Sequence, residues 1–85
     1  MKSRKEIIAW LVAQIAEVNG VAPVTISTTA PFTSLGLDSA TSITLAGDLE
    51  AWLGIDVDGT ALFEHPTIER LAAHLSALAK PAGLS

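Results

Sequence analysis

Residues 35–54 read LGLDSATSITLAGDLEAWLG. Leu45, Leu49 and Leu53 recur every fourth residue with Ala46 and Trp52 beside them, which is one apolar stripe on a helix. That helix begins at Asp38 or Ser39 and stops at Leu53, where Gly54 follows. At 100° per residue its other side carries Ser39, Ala40, Ile43, Gly47 and Glu50. A helix with one apolar side must bury it against other elements, and the flanking sequence supplies them.

Upstream, Ser3-Arg4-Lys5-Glu6 has the form of a capping box, in which the serine and glutamate side chains bond each other's backbone N–H. Ile7, Leu11, Ile15 and Val18 then form a stripe, with Ile8 alongside and Trp10 and Val12 at its edges. Asn19-Gly20 is a stop, so the first helix spans 4–18. Downstream, Pro66 ends any preceding helix and Thr67 is a good cap for the next. That last helix carries Ile68, Leu71, Ala72, Leu75 and Leu78 on its apolar side and Glu69, Arg70, Ala73, His74 and Ala77 on the other. Between Asp56 and Pro66 only one or two turns fit, around Leu62-Phe63, after the turn at Asp58-Gly59. Residues 20–38 show no helical period. Val24, Ile26, Phe32, Leu35 and Leu37 are expected to pin this segment to the core, with one short turn in it. The expectation is an all-α fold: a small antiparallel four-helix bundle, three main helices plus a short third helix, with a long first loop. One domain over 1–85 is expected, its core at about 4–79 and a frayed tail at 81–85.

Composition narrows the function. The 85 residues are 49% hydrophobic and 16% charged, which favours folding over disorder. Cysteine is absent, which removes disulfides, thiolate metal sites and any thiol nucleophile of the chain's own. Net charge is -4, and no basic residue lies between Lys5 and Arg70. Phosphate-backbone binding needs a basic stripe, so no nucleic-acid partner is expected. The acidic surface is either simply solvated or a face for basic proteins. Apolar runs fall far short of the roughly 18 residues of a membrane span, and Glu6 interrupts any secretory signal. A soluble, cytoplasmic domain, monomeric in isolation and without a membrane partner, is expected.

The chemistry concentrates at Leu35-Gly36-Leu37-Asp38-Ser39-Ala40, a glycine-containing loop that delivers a serine hydroxyl to the first turn of a helix. Unpaired N–H groups and the helix dipole there favour a phosphate esterified to Ser39. Asp-Ser at a helix start is, by itself, also an ordinary cap. The stretch Phe32-Thr33-Ser34-Leu35-Gly36-Leu37-Asp38-Ser39 resembles the attachment motif of acyl carrier proteins, particularly polyketide-synthase carrier domains. Leu62-Phe63-Glu64-His65-Pro66-Thr67-Ile68 resembles the signature joining that family's third and fourth helices. The resemblance implies that a phosphopantetheinyl transferase moves 4′-phosphopantetheine from coenzyme A onto Ser39, with Asp38 positioning the loop and meeting that transferase. The arm's terminal thiol gives a cysteine-free chain its means of holding acyl or polyketide groups as thioesters. An acyltransferase or acyl-AMP ligase would load it, a ketosynthase or other pathway enzyme would unload it, and the domain itself would catalyse nothing.

Three departures from the family pattern mark this chain: Ala40 where Leu or Met often follows the serine, Thr44 where glutamate is common, and no basic residue at mid-helix. The partner-facing residues implied are Leu37, Ala40, Ile43, Thr44, Gly47 and Glu50, a face expected to dock by shape and apolar contact at Ile43 more than by charge. Two rivals stay open: a peptidyl or aminoacyl carrier of a nonribosomal synthetase, which more often reads Gly-Gly-Asp-Ser here, and a helical interaction module in which Ser39 is only a cap. A hydrolase built on Ser39 with His65 or His74 lacks a nucleophile elbow. Asp56, Asp58 and Glu64 do not match a calcium loop, and no metal site is expected. Trp10 and Trp52 are expected at the edge of the core, and His74 in solvent.

Overall fold

The computed structural model describes residues 2–78. Four α-helices follow in order: α1 (Arg4–Asn19), α2 (Ser39–Leu53), α3 (Ala61–Glu64) and α4 (Ile68–Leu78). The first connection holds two 3₁₀ turns, Pro23–Thr25 and Phe32–Leu35, one more than the sequence suggested. The expected tail at 81–85 lies outside the described residues.

The capping box of α1 forms in full. The Ser3 hydroxyl accepts from the Glu6 N–H and a Glu6 carboxylate oxygen accepts from the Ser3 N–H, both at 3.1 Å. Ile7, Leu11 and Ile15 from α1 are wholly buried, as are Ile68, Leu71, Ala72 and Leu75 from α4, and these two helices make the main packed pair. Leu45, Ala46 and Leu49 of α2 and Ala61 and Leu62 of α3 close the same cluster, with Phe32, Leu37 and Val57 entering from the connections. Full burial of one such aliphatic side chain contributes about 1.5–3 kcal/mol. Trp10 of α1 and Trp52 of α2 stack at 5.1 Å between ring centres, and the Lys2 ammonium lies 4.8 Å from the Trp52 ring. Lys2 therefore meets the far end of α2, while Asn19 at the other end of α1 bonds Leu35 just ahead of α2. The two helices run antiparallel.

The long connection is stitched at its middle to the start of α4 and the residues before it. The Thr28 hydroxyl donates to a Glu69 carboxylate oxygen at 2.6 Å, and the Glu69 N–H donates back to the Thr28 carbonyl at 3.1 Å. The Phe32 N–H donates to the Pro66 carbonyl at 2.8 Å, beside an antiparallel bridge between Pro31 and Thr67. Thr67 caps α4 as expected, its hydroxyl accepting from the Arg70 N–H.

Four placements differ from the sequence reading. Val18 is 56% exposed: it borders a shallow groove whose α2 lining is Thr41, Thr44, Leu45 and Asp48, and of these only Leu45, itself buried in the core, is apolar. Leu78, in the last turn of α4, is likewise exposed. Val24 is 91% exposed and pins nothing, because the tight turn closed by the Thr25 hydroxyl on the Ala22 carbonyl carries it at its tip. His74 is half-buried, stacked on His65 at 3.9 Å. These placements predict that Leu71→Ala costs about 2–5 kcal/mol in urea unfolding, while Val24→Ser changes stability by less than about 0.5 kcal/mol. Equal losses in the two variants would contradict the packing described.

Candidate functional site

The second 3₁₀ turn ends at Gly36, whose φ of 78° lies in the left-handed region that glycine adopts without a steric penalty. A Cβ at this position would also stand 3.2 Å from the Asn19 side-chain oxygen. The chain then drives Leu37 into the core, 7% exposed. Leu37 thus lies beneath the surface rather than on the partner face where the sequence reading put it. It plugs this end of the bundle, where it borders the small grooves on both sides of α2.

Asp38 follows in extended backbone, φ -89° and ψ 179°. One of its carboxylate oxygens accepts from the Thr41 N–H at 2.8 Å, and its carbonyl takes the first helical bond from the Ser42 N–H at 2.9 Å. Asp38 is therefore the cap, and Ser39 is the first residue inside the helix, exposed to solvent. In an α-helix the first N–H groups have no partner within the helix. With Thr41 served by Asp38, the Ser39 and Ala40 N–H groups remain, on the positive end of the helix dipole. Ser39 and these amides fit a phosphate ester: an accessible hydroxyl, two backbone donors and no neighbouring side chain holding the oxygen as a cap.

The rest of the inferred face divides into two kinds of residue. Ala40, Ile43, Thr44 and Gly47 are exposed along α2, with Ile43 57% exposed. The Thr44 hydroxyl is turned back onto the Ala40 carbonyl at 3.1 Å. Glu50 is exposed too, but one of its carboxylate oxygens accepts from the Val57 N–H at 2.9 Å, so it holds the α2–α3 connection in place. Sequence spacing could not show this, since the partner lies seven residues on, beyond a turn. Phe63 was missed as a surface residue. In a four-residue helix only one of Leu62 and Phe63 can point inward, and Phe63 is the one left 56% exposed. It stands on the rim of an apolar groove of about 180 Å³ between α2, α3 and the second 3₁₀ turn, which Phe32, Leu62 and Ser42 also line.

Other candidate groups serve the frame. His65 and His74 stack on one another, 17° from parallel. An Asp58 carboxylate oxygen accepts from both the N–H and the hydroxyl of Thr60 at 3.0 Å, closing the turn before α3. Among the described residues no three of His, Asp and Glu converge as metal ligands. No described helix is long and apolar enough to cross a membrane.

The model of the family described as phosphopantetheine attachment site matches residues 9–75. The chain belongs to that family. Its members are carrier domains that bear 4′-phosphopantetheine covalently, generally without catalytic activity of their own, and this chain is a carrier domain. It is 35% identical over 72 residues to erythronolide synthase EryA3 of Saccharopolyspora erythraea, covering 84% of this chain and 2% of that protein. It is 34% identical over 76 residues to polyketide synthase GfsA of Streptomyces halstedii, covering 88% of this chain and 1% of that one. The chain thus spans only a small fraction of these curated relatives. Among solved structures, the acyl carrier protein Asl1650 from Anabaena sp. PCC 7120 superposes with a TM-score of 0.86 at 35% identity, over 92% of this chain and 89% of that one. A free-standing peptidyl carrier protein from Acinetobacter baumannii gives 0.87 at 32% identity, over 94% and 100%.

The Thr41 N–H holds the Asp38 carboxyl below its ordinary value of 3.8. The Ser3 backbone N–H does the same for Glu6, ordinarily 4.5, and the Thr60 N–H for Asp58. Each group binds its proton more weakly folded than unfolded. Its stabilisation is complete above the ordinary value and fades as pH falls through the lowered one. The thermal midpoint should therefore hold on the acid side down to about pH 4.5 and decline below it. Asp38→Asn keeps an acceptor for Thr41 but takes up no proton, so its decline should be shallower. Parallel melting curves for both proteins from pH 6 to pH 3 would contradict this assignment.

Proposed function

We propose that Ser39 is the attachment point and that the chain is a single carrier domain, working in the cytoplasm, for acyl or polyketide intermediates. The observation that carries the reading is the division of labour at the start of α2: Asp38 caps the helix, which leaves the Ser39 hydroxyl exposed and uncommitted. In the loading step the Ser39 oxygen bonds to the phosphorus of coenzyme A that bears the pantetheine. The anhydride bond to the adenosine portion breaks, adenosine 3′,5′-bisphosphate leaves, and the hydroxyl proton passes to a base of the phosphopantetheinyl transferase. The unpaired Ser39 and Ala40 amides would hold the phosphate of the attached arm, since no Lys or Arg lies near Ser39 in the sequence.

The arm's thiol, when attached, holds cargo as a thioester. An acyltransferase or acyl-AMP ligase loads it, and a ketosynthase or another enzyme of the assembly takes it up. The domain contributes presentation and docking and performs no bond-making itself. Polyketide cargo is favoured by the synthases to which the sequence is similar. An aminoacyl or peptidyl cargo is the second reading, favoured by the close superposition on a peptidyl carrier.

Incubation with coenzyme A and a broad-specificity transferase should add the mass of one arm, and Ser39→Ala should gain none. An unmodified native protein would leave a helical interaction module. For the docking face, Ile43→Glu should slow acyl loading by the partner enzyme about tenfold or more, as burial of an unpaired charge at an apolar contact would. Glu50→Gln, which keeps an acceptor for the Val57 N–H, should change the rate less than about twofold. Comparable losses in both would assign the docking to charge instead.

A further inference from the structure

The Asp38 cap fixes where α2 begins, but it does not fix where the start of α2 sits relative to the rest of the bundle. That placement runs through the loop at 35–38, and a single side chain from outside the loop grips it. Asn19, the last residue of α1, donates from its amide nitrogen to the Leu35 carbonyl at 2.6 Å. Its amide oxygen lies 3.2 Å from the point a Gly36 Cβ would occupy, so the side chain packs on the bare Cα of Gly36. One amide group thus bonds one loop residue and covers the next, across 16 positions of sequence. Asn19 belongs to α1, which is locked to α4 by fully buried side chains, whereas the loop has only Leu37 and Phe32 in the core. Three residues separate the gripped Leu35 from Ser39.

We infer that Asn19 is a positioning residue for modification of Ser39: it holds the attachment loop in the one pose in which the serine hydroxyl is offered to the transferase. The inference rests on Ser39 being the attachment point. Without the grip the loop samples other poses, and the fraction of molecules ready for the transferase falls. A partner that binds only the ready pose then shows an apparent affinity reduced by that fraction, while the step after binding is unchanged. The effect therefore belongs in KM. An exposed hydrogen bond of this kind corresponds to about two- to tenfold.

The test compares native protein, Asn19→Ala and Asn19→Asp in steady-state loading with coenzyme A and a broad-specificity transferase, at a temperature where each is fully folded by circular dichroism. The aspartate is the same shape but has no amide donor and sets a carboxylate against the Leu35 carbonyl. Both variants should raise KM about two- to tenfold with kcat unchanged. In the free proteins, hydrogen exchange at the hydrogen-bonded amides of Gly36, Leu37 and Thr41 should quicken in both variants, while exchange in the middle of α1 should not. A native KM in either variant, or unchanged exchange at Gly36, Leu37 and Thr41, overturns the inference. A native protein that takes no arm, or a Ser39→Ala variant that still takes one, fails the attachment reading instead, so the two failures are distinguishable.

Discussion

The bond from the Thr41 amide to the Asp38 carboxylate decides what the next side chain in the chain is free to do. Helix starts need a side-chain acceptor for their unpaired amides, and serine and aspartate are both good at supplying one. In an Asp-Ser pair the two compete for that task. Once the aspartate takes it, the serine is displaced one position into the helix, where its hydroxyl points to solvent and its own amide stays unpaired. The attachment proposed at Ser39 relies on that outcome. A serine acting as the cap would have its oxygen occupied and its backbone extended, and the phosphate would lose the helix end as its ground.

Everything else in the first half of the chain serves to bring that pair to the surface in a fixed place. The apolar α1–α4 pair forms the rigid part, because its stripes are long and their residues are wholly buried. The long connection has little core of its own and is secured by hydrogen bonds to those helices and to the residues just before α4: Thr28 with Glu69, Phe32 with Pro66, and Asn19 with Leu35. Packed helices thus hold in place a segment with little buried apolar surface of its own. In this chain the proposed attachment serine directly follows the segment with the weakest secondary-structure signal.

The sequence showed what repeats and what caps. The helices followed from apolar spacing, the capping box from Ser3 and Glu6, and the last helix's start from Pro66 and Thr67, because these depend on residues within one turn of each other. Ser39 was legible because its neighbours spell a recognisable motif, though not whether it or Asp38 would cap. What stayed hidden depends on contacts between distant residues. Glu50 read as a surface carboxylate because its partner is a backbone amide beyond a turn. Asn19 read as a helix stop because the Leu35 carbonyl it bonds is far along the chain. Val18 continued the stripe correctly in angle, yet the helix across the groove offers mostly short polar side chains there, with its one apolar residue, Leu45, turned into the core, a fact about shape that periodicity does not contain.

The stacked tryptophans give the molecule an optical signature of its own. The chain has two tryptophans and no tyrosine, so its near-ultraviolet absorption comes overwhelmingly from one pair of indoles. These belong to different helices and lie 5.1 Å apart, 12° from parallel, a spacing at which their transitions couple. Separation of α1 from α2 would uncouple them and change the circular dichroism and emission together. The protein thereby carries a built-in, label-free gauge of whether those two helices stay in register while other molecules engage its far end.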